Sequence, residues 1–495
     1  MKIILCLLIF MLCIAISASE KIPAKIVYAE APGGGLENEN ALTDGKNDTF
    51  ASFTNGNQGL KILLDLGKGY NIDYIKIING KENETLFFLQ DLQLSGFAPK
   101  GFGTEDKRLQ EKMVQVTKRP INLNHGEAGK GETIIPLPKG MVGRYIYMFI
   151  NGGGEQASVA ETEIYGTPNK PERHLLFWSN DYKDLIANLP YLTETGITDI
   201  YLDYCETGFP QTNPNCGFAK LIDSGVLPEL KKAGIRYWLG EHEAFTTMIE
   251  SEEALLDDTL WETSYREMEK VYSKAKELGF SGLCYDAENY QGAIRPASEF
   301  TDHFTSWSFS SQWGYSGAYY QRGLKVGKII SENLGSRFVG LYECRIYADR
   351  NDCRQGHYWW LKGLYDGGVS DIRIATEKTY GAGNNELSIP ELPGHLMYWF
   401  EHTDQEIQKI WDAYPFISGV IPGYHPWNTR IKKPCYLPQY LEDQIDEAQR
   451  NAPAFWIYNE GNPSAGDPRK TLDQAFCKEN GINPNDYYDI LVKTK

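Results

Sequence analysis

The feature that most constrains the fold is an alternation of strand-like and helix-like segments between residue 172 and the C-terminus. Short apolar stretches are followed each time by an amphipathic or polar stretch of helical character. Helix-ending glycines precede several of the apolar stretches, at Gly196, Gly234 and Gly279. The predicted strands are His174–Asn180, Ile197–Tyr204, Ile235–Glu243, Phe280–Tyr290, Arg337–Tyr347, Ser370–Tyr380, Gly419–Trp427 and Ala454–Asn459.

Eight strand–helix repeats in residues 172–495 predict a (β/α)8 barrel, or TIM barrel. A doubly wound open sheet is the alternative. That fold places a glycine-rich phosphate loop after its first strand, and the sequence Ser179-Asn180-Asp181-Tyr182 at this position does not resemble one. We therefore expect a barrel, with its active site at the C-terminal ends of the strands.

Two carboxylates finish the fourth predicted strand. Asp286 and Glu288 are two residues apart, so they share one face of the strand at the mouth of the barrel. A neighbouring carboxylate raises the pKa of its partner, which keeps one of the two protonated near neutral pH. Cleavage of a glycosidic bond needs a positioned acid and a second carboxylate. We predict catalytic roles for Glu288 and Asp286.

Polar and aromatic residues at the other strand ends are further candidates. Glu377 on the sixth strand is a candidate second catalytic carboxylate. The candidates for substrate binding are Glu343, Glu241, Glu243, Asp203, Tyr380, Trp427 and Trp456. We expect His242 to alternate away from its acidic neighbours and to pack.

The stretch Gly279-Phe-Ser-Gly-Leu-Cys-Tyr-Asp-Ala-Glu288 resembles the fourth-strand signature of the chitinase-like family-18 glycoside hydrolases. The resemblance implies that Glu288 is the general acid and that Asp286 orients the acetamido group of the substrate. It also suggests Tyr380 as the sixth-strand tyrosine and Trp456 as a sugar platform. Ser281 and Cys284 stand where that family has aspartates.

These observations lead to two functional hypotheses. The first is a secreted glycoside hydrolase that cleaves a poly- or oligosaccharide, with Glu288 as the acid and Asp286 or Glu377 assisting. The substitutions at Ser281 and Cys284 motivate the second, a non-catalytic glycan-binding protein built on a degenerate hydrolase barrel. Neither hypothesis requires a catalytic cofactor.

Residues 21–168 have a different pattern. Short β-type runs, among them 61–67 and 144–150, are separated by Gly, Asn and Pro clusters, which predicts a β-sandwich. Three stretches, at 41–49, 64–67 and 158–166, resemble the discoidin, or factor 5/8 type C, family. Many of its members are carbohydrate-binding modules. The resemblance implies a structural calcium ion bound by Asp44, Thr49 and Glu161, which offer the oxygen ligands that calcium prefers.

Residues 1–19 have the pattern of a signal peptide. Lys2 precedes an apolar run from Ile3 to Ile16, and Ser17-Ala18-Ser19 follows. We expect a secreted protein, extracellular or periplasmic, without stable membrane insertion. The net charge of −17 argues against nucleic acid and against an anionic membrane surface as partners.

In an oxidising compartment the pairs Cys205/Cys216 and Cys344/Cys353 are candidates for disulfide bonds. Seven cysteines remain after the signal peptide, so at least one thiol stays free. Cys284 lies inside an apolar strand, and we predict that its thiol is buried and free.

Overall fold

The computed structural model of the 495-residue chain divides into two compact units. The first comprises residues 1–170 with 449–453, and the second comprises 171–448 with 454–495. No helix within the described residues is long and apolar enough to cross a membrane. The structure describes residues 19–31, 35–54, 59–80, 87–95, 114–115, 120–123, 131–137, 141–152, 156–177, 181–205, 217–242, 245–249, 252–286, 315–342, 353–376, 417–458 and 466–495.

The strands of the N-terminal unit form a ten-stranded sheet in which every pairing is antiparallel. The path runs β1-β10-β4-β9-β5-β6, with β2 and β8 on β4, β3 on β10 and β7 on β5. A short 3-10 helix covers Glu39–Leu42. The strands are β1 (Glu20–Ile22), β2 (Lys25–Glu30), β3 (Ala51–Thr54), β4 (Leu60–Asn79), β5 (Phe87–Ser95), β6 (Val114–Gln115), β7 (Ile121–Asn122), β8 (Glu132–Pro136), β9 (Val142–Gly152) and β10 (Gln156–Pro168).

Alternating burial explains why these segments are strands. In β8, Thr133 and Ile135 are buried, whereas Glu132 and Ile134 are exposed. In such a strand one face packs on the core and the other meets solvent. The core is shared by β4, β9 and β10, whose fully buried residues include Leu60, Ile146 and Ile164. The predicted β-sandwich is confirmed to the extent that this part of the chain forms an antiparallel sheet.

The second unit is built on eight parallel strands in the closed order β11-β12-β13-β14-β15-β16-β17-β20. The predicted eight-stranded parallel barrel is confirmed to this extent. The strands are β11 (Glu172–Phe177), β12 (Asp199–Cys205), β13 (Arg236–His242), β14 (Leu283–Asp286), β15 (Arg337–Tyr342), β16 (Asp371–Thr376), β17 (Ile417–Tyr424) and β20 (Ala454–Ile457), and a separate pair is formed by β18 (Trp427–Asn428) and β19 (Lys433–Pro434).

Described helices follow every barrel strand except β16, after which residues 377–416 lie outside the described part of the chain. Their boundaries reflect local sequence. The longest, α6, begins after Asp257, whose carboxylate accepts from Thr259 and Leu260 N–H, and it ends at Gly279 in the left-handed conformation. The helices are α1 (Tyr182–Glu194), α2 (Ala219–Ser224), α3 (Val226–Lys232), α4 (Thr246–Ile249), α5 (Glu252–Leu256), α6 (Asp258–Leu278), α7 (Tyr315–Asn333), α8 (Cys353–Asp366), α9 (Pro438–Asn451), α10 (Pro468–Thr471), α11 (Gln474–Glu479) and α12 (Pro484–Lys493).

The barrel interior is filled by side chains that alternate along the strands. Each strand contributes at least one buried residue to this core, for example Tyr201 from β12, Trp238 from β13 and Cys284 from β14. Because side chains alternate between the two faces of a strand, these residues show which positions point inward. The core consists of Leu176, Tyr201, Trp238, Cys284, Val339, Ala375, Ile421, Ala454 and Trp456.

Candidate functional site

Two of the predicted carboxylates lie on the inner face at the C-terminal end of the barrel. Asp203 follows Tyr201 by two positions on β12, and Asp286 follows Cys284 by two positions on β14. Gly240 of β13 pairs with Asp203 on one side and with Cys284 on the other. Asp286 is 3% exposed. The structure therefore brings both carboxyl groups to the end of the barrel where such folds place their active sites.

The neighbour of Asp286 on its strand is a thiol. Cys284 is fully buried and free, as predicted. Burial, together with the nearby charge of Asp286, raises the pKa of Cys284 well above its ordinary value. The thiol is therefore neutral at physiological pH.

Five of the predicted site residues lie outside the described residues. They include the predicted acid, Glu288, which follows β14 by two positions, and the candidate second carboxylate, Glu377, which directly follows β16. The others are Glu343, Glu243 and Tyr380.

Glu241 does not face the barrel interior, which corrects its prediction as a substrate-binding residue. Trp238 of β13 points into the barrel core, so Glu241, three positions later, lies on the outer face. There its carboxyl group accepts a hydrogen bond of 3.1 Å from the hydroxyl of Tyr272 on α6. Its second oxygen, Oε1, is buried without a hydrogen-bond partner among the described residues. Burial, with a contribution from the charge of Glu267, raises the pKa of Glu241 to about 8.

The two predicted tryptophans are not exposed sugar platforms. Trp456 belongs to the barrel core, and Trp427 packs against the ring of Tyr487 at 5.5 Å, both with no exposed surface. A residue missed by the sequence analysis, Tyr458, lies two positions beyond Trp456, is partly buried and packs against the same core. Its ring centroid is 5.2 Å from that of His425. The sequence could have indicated Tyr458, because it follows Trp456 by two positions and residues two apart on a strand share a face.

The opposite end of the barrel contains a network of ion pairs that the sequence analysis also missed. Glu172, at the start of β11, lies 2.8 Å from Arg236 Nη2 and 3.3 Å from Arg337 Nη2, and it contacts Arg373. Burial opposes its ionisation, but the hydrogen bond from His174 and the charge of Arg373 outweigh burial, so the pKa of Glu172 lies well below its ordinary value. The signal in the sequence is that five of the barrel strands begin with a charged residue.

Asp199, at the start of β12, is the most buried carboxylate of this network. It is fully buried and accepts hydrogen bonds of 2.6 Å from Arg236 and 2.7 Å from Trp238 Nε1. Burial raises its pKa, but the charges of His174 and Arg236 reverse the effect, so the net shift is downward. Charge compensation of this kind satisfies groups that would otherwise be costly to bury.

Glu172, His174 and Asp199 also have the composition of a metal site, since their donor atoms lie within 4.8 Å of one another. The guanidinium group of Arg236 contacts both carboxylates, at 2.8 Å and 2.6 Å. Arg373 adds a second guanidinium group beside Glu172. The positive charge that a metal ion would supply is thus already provided by arginine, so the cluster has a structural explanation.

The predicted calcium ligands of the N-terminal unit lie close together. Thr49 Oγ1 donates to Asp44 Oδ2 at 2.7 Å, and the backbone N–H of Gly45 donates to Glu161 Oε2 at 3.0 Å. Burial raises the pKa of Glu161, with a smaller contribution from the charge of Asp44, although Lys21, 3.3 Å away, opposes the shift. A hydroxyl and two carboxylates, one of them buried, are donors that fit calcium.

The predicted disulfide partners Cys216 and Cys344 lie outside the described residues. Residues 1–18, which contain most of the predicted signal peptide, lie outside them as well. Among the described cysteines, Cys284, Cys435 and Cys477 are not in disulfide bonds.

Comparison with solved structures gives matches that cover the N-terminal unit. No protein-family model and no curated protein matches the chain. Solved structures similar to it include CpGH89CBM32-6 produced by Clostridium perfringens (21% identity, TM-score 0.20, covering 30% of this chain and 99% of that one). A second is the family 32 carbohydrate-binding module of NanJ from C. perfringens in complex with galactose (17% identity, TM-score 0.21, covering 30% of this chain and 98% of that one). A third is CBM32-3 from a family 31 glycoside hydrolase of Clostridium perfringens (19% identity, TM-score 0.23, covering 31% of this chain and 98% of that one). TM-scores at this level do not assign a fold or a ligand.

Proposed function

We propose that the barrel hydrolyses a poly- or oligosaccharide by carboxylate general acid catalysis, with Glu288 as the acid and Asp286 or Glu377 assisting. The observation that supports this function best is the position of Asp286. Its carboxyl group is buried on the inner face at the C-terminal end of β14. Closed parallel barrels place their active sites at this end of their strands.

The spacing within the sequence extends this argument to Glu288. It follows Asp286 by two positions, so a continued strand would present both groups to the same side. Tyr458 offers a half-buried aromatic ring at the same end of the barrel. Aromatic faces bind the apolar faces of sugar rings, so carboxylates beside an aromatic platform suit a glycan.

The test is an assay of new reducing ends across host and plant glycans. We expect Glu288→Gln to reduce cleavage by about 10²–10⁴-fold, as removal of a general acid does. Glu269→Gln, which changes an exposed glutamate of α6, is the matched control and should retain full activity. Circular dichroism checks that both variants fold. Unchanged turnover in folded Glu288→Gln would exclude the acid role of this residue.

The buried thiol of Cys284 favours a second candidate, a non-catalytic glycan-binding protein built on a degenerate hydrolase barrel. A neutral thiol beside Asp286 cannot take up and return a proton as a carboxylate does. Glycan-array binding without release of product from any bound glycan would support this alternative. Detection of reducing ends that depend on Glu288 would exclude it.

For the N-terminal unit, we propose that it binds carbohydrate and that Asp44, Thr49 and Glu161 hold a structural calcium ion. The closeness of these groups supports the ion site. Calcium at about 1 mM, roughly tenfold above a dissociation constant near 10⁻⁴ M, should stabilise the folded unit by about 1.4 kcal/mol. Thermal unfolding with calcium and with a chelator measures the difference. An equal response of Glu161→Gln would exclude the site.

We further propose that the protein is secreted after cleavage of residues 1–19. The charged n-region and the apolar run that follows it support this proposal. N-terminal sequencing of the protein recovered from its native source tests it, and a mature N-terminus near residue 20 is the expected result.

A further inference from the structure

A small hairpin extends from the same end of the barrel as Asp286. It consists of β18, the turn at 429–432 and β19, and we call residues 427–434 the basic hairpin. It begins three positions after the last residue of β17, so it belongs to the loop between β17 and α9. Loops that follow the strands of a closed parallel barrel surround its C-terminal mouth, where the active site lies.

The basic hairpin has a well-defined conformation. Asn428 Oδ1 accepts hydrogen bonds from the backbone N–H groups of Arg430 at 2.9 Å and Ile431 at 3.1 Å. Lys432 has a φ of 55°, the left-handed conformation that closes the turn, and its carbonyl accepts from Asp473 N–H at 2.9 Å. Trp427 anchors the base of the hairpin in the interior. A loop held in this way loses little conformational entropy when it binds a ligand.

The charge of the hairpin is opposite to that of the protein. Arg430, Lys432 and Lys433 are all exposed, and the sequence contains no carboxylate between Asp412 and Glu442. The chain as a whole has a net charge of −17. A basic patch on an acidic protein attracts anions locally, although the overall charge repels them.

Contacts around the hairpin leave its lysines available. Lys433 Nζ lies 4.7 Å from the centroid of the Phe476 ring, and neither lysine forms an ion pair with a carboxylate among the described residues. Asp473 is the neighbouring acid, but its carboxylate accepts from the N–H groups of Ala475 and Phe476 at the start of α11. The positive charges of the lysines are therefore not cancelled by this neighbour.

An exposed apolar residue accompanies the charges. Ile431 is 59% exposed at the tip of the turn, between Arg430 and Lys432. A sugar ring that bears a carboxylate or sulfate has both an apolar C–H face and a negative charge, and this combination matches the hairpin. A single isoleucine contributes too little burial to hold a membrane, and the net charge opposes an anionic bilayer.

We propose that the basic hairpin is a subsite for an anionic sugar residue, one that bears a carboxylate or a sulfate, of the glycan bound by the barrel. This inference rests on the proposed glycan substrate and specifies its class. Lys432 and Lys433 supply charge to the anionic group, and Ile431 contacts the ring. The substrate of the barrel would then be a glycan that carries such a charged residue.

The experiment is isothermal titration of the full-length protein with three probes. Oligogalacturonate supplies carboxylates, and a heparin oligosaccharide supplies sulfates. Methyl-esterified oligogalacturonate is the uncharged control for oligogalacturonate. The test variant is Lys432→Gln with Lys433→Gln. The control is Lys231→Gln with Lys232→Gln, a pair of adjacent exposed lysines at the end of α3, which leads into the start of β13.

We expect the hairpin variant to weaken binding of one anionic probe by about tenfold, equivalent to about 1.4 kcal/mol, and to make it less sensitive to salt. The anionic probe whose binding weakens shows whether the hairpin binds a carboxylate or a sulfate. The neutral probe and the control variant should show no change. Three results would overturn the proposal: unchanged anionic binding in the variant, equal weakening of the neutral probe, or no binding of either anionic probe by the unaltered protein.

Binding and cleavage are measured separately, so the two proposals can fail independently. If Glu288→Gln keeps its activity while the hairpin variant loses anionic binding, the assigned acid is wrong and the subsite remains. If a neutral glycan is cleaved and the hairpin variant binds every probe normally, the subsite is wrong and the hydrolase remains. Binding of phosphatidylglycerol vesicles, but of no oligosaccharide, would assign the hairpin to a membrane surface and exclude the sugar.

Discussion

The two ends of the barrel contain charged residues for different physical reasons. Where the strands begin, carboxylates such as Glu172 and Asp199 contact Arg236 and Arg373, so opposite charges compensate each other. Where the strands end, the described inner face presents Asp203 and Asp286. The first arrangement contributes to the stability of the closed barrel, and the second lies at the end where we propose that the glycan binds.

The position of a carboxylate along its strand separates these two groups better than burial does. Asp199 and Asp286 are both buried, and a criterion based on exposure alone would not distinguish them. Their positions along the strands distinguish them, because Asp199 lies where the strands begin and contacts Arg236, whereas Asp286 lies where the strands end, the end at which we propose the active site.

The largest expected effect is on stability at the end where the strands begin. Glu172→Gln removes the carboxylate that Arg236, Arg337 and Arg373 share. Because Glu172 is partly exposed and the arginines keep Asp199 or Asp371 as partners, we expect a cost toward the lower end of the about 3–5 kcal/mol for a broken buried ion pair. Urea unfolding measures the loss. Glu229→Gln removes an exposed carboxylate that pairs with Lys232 and should cost less than about 1 kcal/mol. Equal losses in the two variants would show that the network does not stabilise the barrel.

The next effect is on activity at the opposite end. Asp286→Asn keeps the shape of the side chain but removes its charge, and we expect glycan cleavage to fall by about 10²–10³-fold, or about 3–4 kcal/mol in the activation barrier. Asp199→Asn is the comparison at the other end and should lower stability more than turnover. The contrast between the two ends would be wrong if Asp286→Asn unfolded the protein but left the activity of the folded fraction intact.

The sequence predicts the orientation of a strand's side chains only where apolar and polar residues alternate along that strand. The number and order of the barrel strands follow from apolar stretches and helix-ending glycines. Parallel barrel strands are buried on both faces, so they lack the alternation that shows which residues point inward. In β13, Trp238 and Leu239 are both apolar and both buried, and nothing local indicates that Glu241 faces outward. For the same reason the sequence does not show that Trp456 points into the core, since every residue of β20 is buried.

A smaller effect is expected from pH, through Glu241 on the outer face of β13. Its pKa of about 8 lies above its ordinary value, so the folded state holds an extra proton between about pH 4.5 and 8. Stability therefore falls as pH rises through this window, by at most about 1.4 kcal/mol per pH unit, or about 2–3 kcal/mol from pH 5.5 to 7.5. Urea unfolding across this range measures the slope.

The variant Glu241→Gln keeps the acceptor for Tyr272 and removes the titrating group, so it should flatten the dependence. Glu269→Gln, an exposed glutamate on α6, should leave the slope unchanged. A slope that persists in Glu241→Gln would assign the pH dependence to another group.

The smallest expected effect distinguishes the two aromatic layers at the end where the strands finish. Trp456 fills the core, whereas Tyr458, which directly follows β20, is partly exposed. Tyr458→Leu should raise KM for the glycan about fivefold, or about 1 kcal/mol, with a smaller change in kcat, because the ring binds the sugar without taking part in bond cleavage. Tyr440→Leu, on α9, is the control. A loss confined to kcat would instead place Tyr458 at the reacting bond, and no change in either constant would place the sugar elsewhere on the mouth.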